Sequence, residues 1–284
     1  MIKDWREDYQ NKLCSAADAA KRIKSGDSIY SGGFAIMPHD FTEALAERKD
    51  ELQDVDYYGC LSPYCFKILD GHFKGHINYV TIFTGGYERF KAAEGNINQL
   101  SVHLAESDRF VEERVKPDVL AVNVSAPDKR GWMTFGVCGG MAIHKARELA
   151  KTIIVTVQKD QPRVPGEFNM IHVNEVDAII ETDIPVPHLP GAQATELENR
   201  IASHVAPLVE DGSTIQIGIG GVPGAVAYNL AEKKDLGIHT EMLTGAMFHL
   251  VKVGAEALIS IAHPDFRDEL RAGVESVMTT ATKT

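Results

Sequence analysis

The sequence lacks long apolar runs and has no excess of positive charge. No stretch of about 18 consecutive apolar residues occurs, and that is the length a membrane-spanning helix needs. The 29 lysines and arginines are outnumbered by 40 aspartates and glutamates, which gives a net charge of −11. A nucleic-acid surface requires clustered Lys and Arg. We therefore predict neither a membrane span nor a nucleic-acid partner.

Cysteine is scarce, and the spacings typical of metal and hydrolase sites are absent. The four cysteines are Cys14, Cys60, Cys65 and Cys138, with no CxxC pair among them. The histidines show neither HExxH nor Cys/His spacing, and no G-x-S-x-G motif occurs. The first 27 residues carry charges and have no apolar core, so they do not read as a secretory signal. We predict reduced thiols, no metal site and a cytoplasmic protein.

Two segments of the chain resemble each other. "SGDSIYSGGFAIMPHDFTEALAERKD" (25–50) aligns with "DGSTIQIGIGGVPGAVAYNLAEKKD" (211–235). Gly26 and Gly32 match Gly212 and Gly218 at an offset of 186, and each copy follows a helical stretch. Such matching at one offset indicates two related domains. We place the first at residues 1–190, which end in a Pro-rich connector, and the second at 191–284.

The first domain alternates strand-like and helix-like segments. The β-branched runs "INYVTIFT", "LSVHLA", "VLAVNVS" and "TIIVTV" predict strands, and "SDRFVEERV" and "GGMAIHKARELAK" predict helices between them. This alternation favours a largely parallel sheet that is covered by helices. We therefore predict an α/β protein with two related open α/β/α domains.

The second domain is too short to match the first. About 140 residues separate Asp50 from the connector, whereas only 49 follow the equivalent Asp235. Those 49 residues contain one strand-like segment, "GIHTEML", and are otherwise helix-like. A parallel sheet needs more strands than that. We predict that the second domain is truncated.

A glycine-rich turn joins a strand-like and a helix-like segment in the second copy. Gly218, Gly220, Gly221 and Gly224 follow "STIQI" and precede "AVAYNLAEKK". Amides at a helix start are unpaired, and glycine lets a ligand approach them closely. A dinucleotide fingerprint would need glycine where Pro223 stands, and a P-loop would need Gly-Lys-Ser/Thr. Two interpretations remain: a tight turn without a ligand, or a loop that donates N–H groups to a developing oxyanion.

The glycine turn "TIQIGIGGVPGAV" and three further segments resemble the acetyl-CoA hydrolase/transferase family, which includes acetate, butyrate and 4-hydroxybutyrate CoA-transferases. "TIQIGIGGVPGAV" followed by "DLGIHTEM" is similar to its second-domain glycine loop and next strand. "VNVSAPDKRGWMTFG" (122–136), with Ser125, Asp128, Gly131 and Gly136, is similar to a first-domain stretch. "QPRVPGEFNMIHVNEVDAIIE" (161–181) and "AEALISIAHPDFRDEL" (255–270) resemble two further family segments. The resemblance covers nearly the whole chain.

The order of these segments departs from the family pattern. In the family, a long stretch separates the parts that resemble "IHTEMLTGAMFHLVKVG" and "AEALISIAHPDFR". That stretch carries most of the second domain's strands and the catalytic glutamate, which lies in a Glu-Ser-Ile-Gly motif. Here Gly254 runs directly into Ala255. The resemblance therefore implies an internal deletion and leaves the catalytic residue unassigned.

The resemblance implies transfer of coenzyme A between an acyl-CoA and a short-chain carboxylate, through a glutamyl-CoA intermediate. It implies that the glycine loop closes over the thioester, and that Glu241 supports it. The loop residues are Gln216, Gly218, Ile219, Gly220, Gly221 and Val222. Glu106 and Glu275 each precede Ser but lack the following Ile-Gly, so they read as surface acids.

Coenzyme A is expected as a substrate, with no permanently bound cofactor. A homo-oligomer is also expected, because the missing strands would leave sheet edges uncovered. We expect turnover to be weak or absent because the family's nucleophile is missing. Acetyl-CoA hydrolysis, or a non-catalytic role in binding acyl-CoA or packing as a subunit, remains as an alternative.

Overall fold

The computed structural model describes residues 4–188, 193–241, 244–261, 268 and 271–272. The chain divides into two compact units, Met1–Pro187 and His188–Thr284. That the second unit is a partial copy of the first domain stays a prediction.

A parallel sheet forms the centre of the first unit. The strands of this unit are β1 (Ser28–Gly33), β2 (Val55–Cys60), β3 (Ile77–Thr81), β4 (Ile97–Gln99), β5 (Val119–Ser125), β6 (Trp132–Thr134), β7 (Thr152–Gln158), β8 (Met170–His172) and β9 (Ala178–Thr182). Seven of them pair side by side in the order β4-β3-β2-β1-β5-β7-β9, and every pairing between them is parallel. Strands β6 and β8 form a separate antiparallel pair.

Helices precede the first strand of the sheet and lie between several of the later strands. They are α1 (Trp5–Lys12), α2 (Ala16–Ala20), α3 (His39–Ala46), α4 (Gly86–Lys91), α5 (Ser107–Phe110, continued by a π-helical turn over Val111–Val115) and α6 (Ile143–Leu149). Every residue of β5 is buried, and alternate residues enter two different hydrophobic clusters. Val119 and Ala121 belong to one cluster, whereas Leu120 and Val122 belong to the other. Both faces of the sheet are therefore covered, which confirms the predicted α/β class with a largely parallel sheet.

Three of the four predicted strands are confirmed, and the strand predicted over "LSVHLA" (100–105) is wrong. The edge strand β4 instead uses the three preceding residues, Ile97–Gln99, and pairs with β3 from Tyr79↔Ile97 to Thr81↔Gln99. The amide of Leu100 makes the last bond, to the carbonyl of Thr81, and a 3₁₀ turn follows at Leu104–Glu106. Pairing with the last three residues of β3 therefore overrides the apolar pattern here.

The second unit contains short strands between longer helices. Its elements are α7 (Glu196–Val205), β10 (Thr214–Ile215), α8 (Gly221–Asn229), β11 (Gly237–Ile238) and α9 (Gly245–Ile261). Strand β10 pairs in parallel with β11, as β1 pairs with β2. The segments predicted as strands at 213–217 and 237–243 thus contain strands that are only two residues long within the described residues. Buried Ile217, Ala227, Ala246 and Met247 form a small core.

Candidate functional site

The glycine loop, residues 216–222, connects β10 to α8 and is anchored at one point. Ile217 is 6% exposed and belongs to the small core, and its carbonyl accepts a 3.0 Å hydrogen bond from the Thr240 hydroxyl. On either side of it, Gln216 and Gly218 are exposed, and Ile219 is 60% exposed. The loop therefore presents its backbone to solvent beside a fixed core residue.

Helix α8 begins inside this loop and leaves its first amides unpaired. Gly220 is the N-cap, and the first intrahelical bond runs from the Gly224 amide to the Gly220 carbonyl. Within the described part of the chain, the amides of residues 218–222 donate to no acceptor. Pro223 is the third helical residue, where its missing N–H has no helical partner to lose. The junction thus has unpaired donors at the positive end of the helix dipole.

Glycine at three loop positions serves different purposes. A Cβ on Gly218 would meet no atom within 4 Å, so the space beside this residue is open. Gly220 has φ +130°, a backbone conformation that other residues rarely adopt. A Cβ on Gly221 would lie 1.9 Å from Oε1 of Glu198. A side chain at position 221 would therefore require the Glu198 carboxylate to move away from the loop.

Glu198 is a site residue that the sequence analysis did not find. It lies in the first turn of α7, where Oε2 accepts hydrogen bonds from the Thr195 amide (2.6 Å) and hydroxyl (2.8 Å). Those bonds, the backbone one contributing most, lower the pKa of the Glu198 carboxyl. The Thr-x-x-Glu pattern predicts this capping box. It does not predict that Oε1 faces Gly221, because that contact depends on how two helices pack.

The other described glutamates considered from the sequence make no hydrogen bond to the loop. Glu241 lies three residues beyond β11 and is exposed, and among the described residues no hydrogen bond joins it to the glycine loop. Glu106 is exposed in the first unit, in the 3₁₀ turn before α5. Glu275 lies outside the described residues.

The motif at 122–136 forms a tight turn in the first unit. The Asp128 carboxylate accepts hydrogen bonds from the amides of Arg130 (2.8 Å) and Trp132 (3.0 Å). Gly131 and Gly136 have φ values of +86° and +62°, which favour glycine. Asp128 and Gly131 therefore shape the backbone that leads into β6, and Gly136 shapes the turn that follows it.

The motif at 161–181 packs directly against that turn. Arg163 makes a 2.8 Å ion pair with Asp128 and donates a 2.9 Å hydrogen bond to the Trp132 carbonyl. Asp177 accepts a 2.8 Å hydrogen bond from the amide of Ile153, at the start of β7. The residues that carry the first-domain resemblance thus have structural contacts with one another.

A scan of family models decides the family. The acetyl-CoA hydrolase/transferase N-terminal domain matches residues 2–190, which is most of the first unit and more than half of the chain.

The chain belongs to the acetyl-CoA hydrolase/transferase family.

Curated relatives in this family are similar over most of the chain. The 4-hydroxybutyrate coenzyme A transferase of Clostridium kluyveri is 32% identical over 252 residues, covering 88% of this chain and 58% of the relative. Butyryl-CoA:acetate CoA-transferase of Anaerostipes caccae is 32% identical over 260 residues, covering 88% of this chain and 57% of the relative. The chain therefore spans somewhat more than half the length of these family members.

A solved structure in the comparison supports the same fold. The crystal structure of RipA from Yersinia pestis matches with a TM-score of 0.82 and 30% identity, covering 88% of this chain and 61% of RipA. The predicted resemblance to the family is thus confirmed, whereas the internal deletion stays a prediction.

In the described ranges, none of the helices is both long and apolar enough to cross a membrane. The same residues contain no group of three or more His, Cys, Asp or Glu side chains arranged to hold a metal ion.

Proposed function

We propose that the chain transfers coenzyme A between an acyl-CoA and a short-chain carboxylate. Family membership supports this reaction class, and the names of the relatives refer to 4-hydroxybutyrate, butyryl-CoA and acetate. The acyl-CoA and the carboxylate are both substrates. No permanently bound cofactor is part of the proposal.

The unpaired amides of the glycine loop carry the proposal. Attack on a thioester places negative charge on its carbonyl oxygen, and N–H donors that are already in place stabilise that charge. Residues 218–222 offer such donors at the start of α8, beside the open space at Gly218. Removing one such donor typically slows acyl transfer by about 10²- to 10³-fold.

Each part of the loop has a separate role in the proposed site. Gly218, Ile219, Gly220, Gly221 and Val222 close over the thioester and direct their amides at its carbonyl oxygen. Gln216 borders the loop on the strand side and contacts the acyl-CoA. Glu241 supports the loop from the segment after β11.

A direct assay with the purified chain tests the reaction. Acetyl-CoA and butyrate are supplied together, and butyryl-CoA is followed by liquid chromatography, with free CoA measured in the same samples. The proposal predicts butyryl-CoA that depends on both substrates. Release of free CoA without butyryl-CoA would show hydrolysis instead. Titration calorimetry with CoA tests binding separately, and absence of CoA binding would overturn the proposal.

We also propose that the chain is a cytoplasmic homo-oligomer. An apolar stripe along α7 and the turn after it supports self-association, because Leu197, Ile201 and Leu208 are all exposed. Light scattering coupled to size exclusion measures the mass directly. A monodisperse monomer across a wide range of protein concentration would contradict this part of the proposal.

A further inference from the structure

A polar patch interrupts one apolar face of the sheet near the carboxyl ends of β5 and β7. Asn123 and Ser125 on β5 lie in register with Thr156 and Gln158 on β7. They share this face with Ala121 of a hydrophobic cluster, because side chains two residues apart on a strand point to the same side. Each of the four polar residues is 2% exposed or less. Polar groups at this depth need hydrogen-bond partners, because leaving them unpaired costs free energy.

Three atoms of this patch have no hydrogen-bond partner among the described residues. They are Oδ1 of Asn123, Oγ1 of Thr156 and Oε1 of Gln158, and each is shielded from solvent. Ser125 differs, because its hydroxyl oxygen accepts a 3.0 Å hydrogen bond from the amide of Thr134. The three unpaired atoms thus belong to neighbouring positions on two paired strands.

The hydrogen bonds of the two side-chain amides fix the direction of their oxygens. Nδ2 of Asn123 donates to the carbonyls of Ala35 and Met37, both at 3.1 Å, in the segment that follows β1. Nε2 of Gln158 donates to the carbonyl of Ile184 at 3.1 Å, after β9. In the sheet, β1 flanks β5 and β9 flanks β7 on the outer sides. Both nitrogens are therefore directed outward, which leaves both oxygens on the side of the gap between β5 and β7.

We propose that one ordered water molecule lies between Asn123, Thr156 and Gln158 and completes their hydrogen bonds. Water has two hydrogens to donate, one to each amide oxygen, and it accepts the hydrogen of the threonine hydroxyl. Three hydrogen bonds are typical of a buried water molecule. A monovalent cation could contact the same oxygens, but it would leave the hydroxyl hydrogen unpaired and place a charge among neutral side chains. The count of donors and acceptors therefore favours water.

The proposed water joins two connections that follow different strands. Asn123 holds two carbonyls after β1, and Gln158 holds one after β9, so a water that fixes both amides also fixes both connections. In the alignment of the two repeats, the segment after β1 corresponds to the glycine loop of the second unit. The water is therefore a structural bridge at the carboxyl edge of the first unit's sheet.

The sign of one change in stability tests the proposal. Thr156→Val keeps the shape of the side chain and replaces its hydroxyl with a methyl group. If the hydroxyl is bonded to water, the melting temperature should fall by roughly 2–4 °C, whereas removal of an unpaired buried hydroxyl should raise it. Thr152→Val, on the same strand, is the matched control, because Thr152 is only half-buried. Its melting temperature should stay close to that of the natural chain.

A high-resolution crystal structure of the natural chain locates the occupant independently of any variant. We expect a water oxygen about 2.5–3.0 Å from each of the three unpaired atoms, and we expect it again in Thr156→Ser, which keeps the hydroxyl. Melting temperatures in equal concentrations of potassium, sodium and choline chloride separate water from a cation, and equal values support water. A higher melting temperature for Thr156→Val, no density between the three side chains, or selective stabilisation by potassium would each overturn the proposal.

Discussion

The hydroxyl of Tyr79 donates a 3.0 Å hydrogen bond to Oε1 of Glu88, a carboxylate that is completely buried. The amide of Ser62 donates to the same oxygen at 2.6 Å, and the amide of Gly85 donates to Oε2 at 3.0 Å. Glu88 therefore joins β3 to the segments that follow β2 and precede α4.

Replacing Glu88 should destabilise the first unit. Glu88→Ala leaves three buried donors without their acceptor, and we expect a loss of about 3 kcal/mol in the free energy of unfolding. Urea denaturation followed by near-ultraviolet circular dichroism measures it. The exposed Glu106→Ala is the control and should leave the urea midpoint nearly unchanged. Equal midpoints for the two variants would contradict the structural role of Glu88.

Adding a methyl group to the glycine loop should weaken CoA binding without affecting stability. A Cβ at Gly218 and one at Gly224 each meet no atom within 4 Å, and neither residue has a positive φ. Gly218→Ala places the methyl group where the thioester is proposed to lie, so we expect binding to fall by about tenfold or more, or ~1.4 kcal/mol. Gly224→Ala places its methyl group on α8 beyond the loop and should keep the affinity. Titration calorimetry with CoA compares the two variants, and equal affinities would contradict the proposed position of the ligand.

Stability should fall at alkaline pH because of Tyr57. Burial raises the pKa of Tyr57 to about 12 from the ordinary value of 10.0, against the opposing effect of hydrogen bonds with Ser31 and Thr42. Below pH 10 both the folded and the unfolded chain keep the phenol proton, so this contribution is fully present. Between pH 10 and 12 the unfolded chain loses the proton first, and the contribution falls by about 1.4 kcal/mol per pH unit.

The natural chain should therefore lose stability more steeply than Tyr57→Phe over pH 10 to 12. Thermal unfolding at several pH values measures this difference in slope. Tyr87→Phe removes an exposed tyrosine and should keep the slope of the natural chain. A slope for Tyr57→Phe that equals the natural one would show that Tyr57 does not contribute.

The ion pair between Arg163 and Asp128 should stabilise the turn that precedes β6. Arg163 also donates to the Trp132 carbonyl, and the side chains of Arg163 and Asp128 are 36% and 25% exposed. We expect Arg163→Met to lower the free energy of unfolding by about 1 kcal/mol. The pair Lys159–Asp183 is the control, because both of its side chains are largely exposed. Lys159→Met should therefore leave the melting temperature unchanged within error, and a similar loss in both variants would contradict the prediction.

Local patterns in the sequence determined much of the fold. The segments 119–125 and 152–157 are short, mostly apolar and rich in β-branched residues. They form central strands because such side chains pack well on a sheet that is buried on both faces. The glycine-rich turn at 218–224 predicted the start of α8, since conformational freedom and unpaired helix amides are properties of the local chain. The family resemblance likewise depended on contiguous motifs.

Only the tertiary structure decided the features that depend on distant residues. The position of β4 depends on its pairing with β3, and the burial of Glu88 depends on three donors brought together by neighbouring segments. Glu198 and Gly221 lie 23 residues apart on different helices, and their separation along the sequence does not predict that they are in contact. Packing of α7 against α8 places the carboxylate on the loop, because close packing of two helices fixes which residues touch.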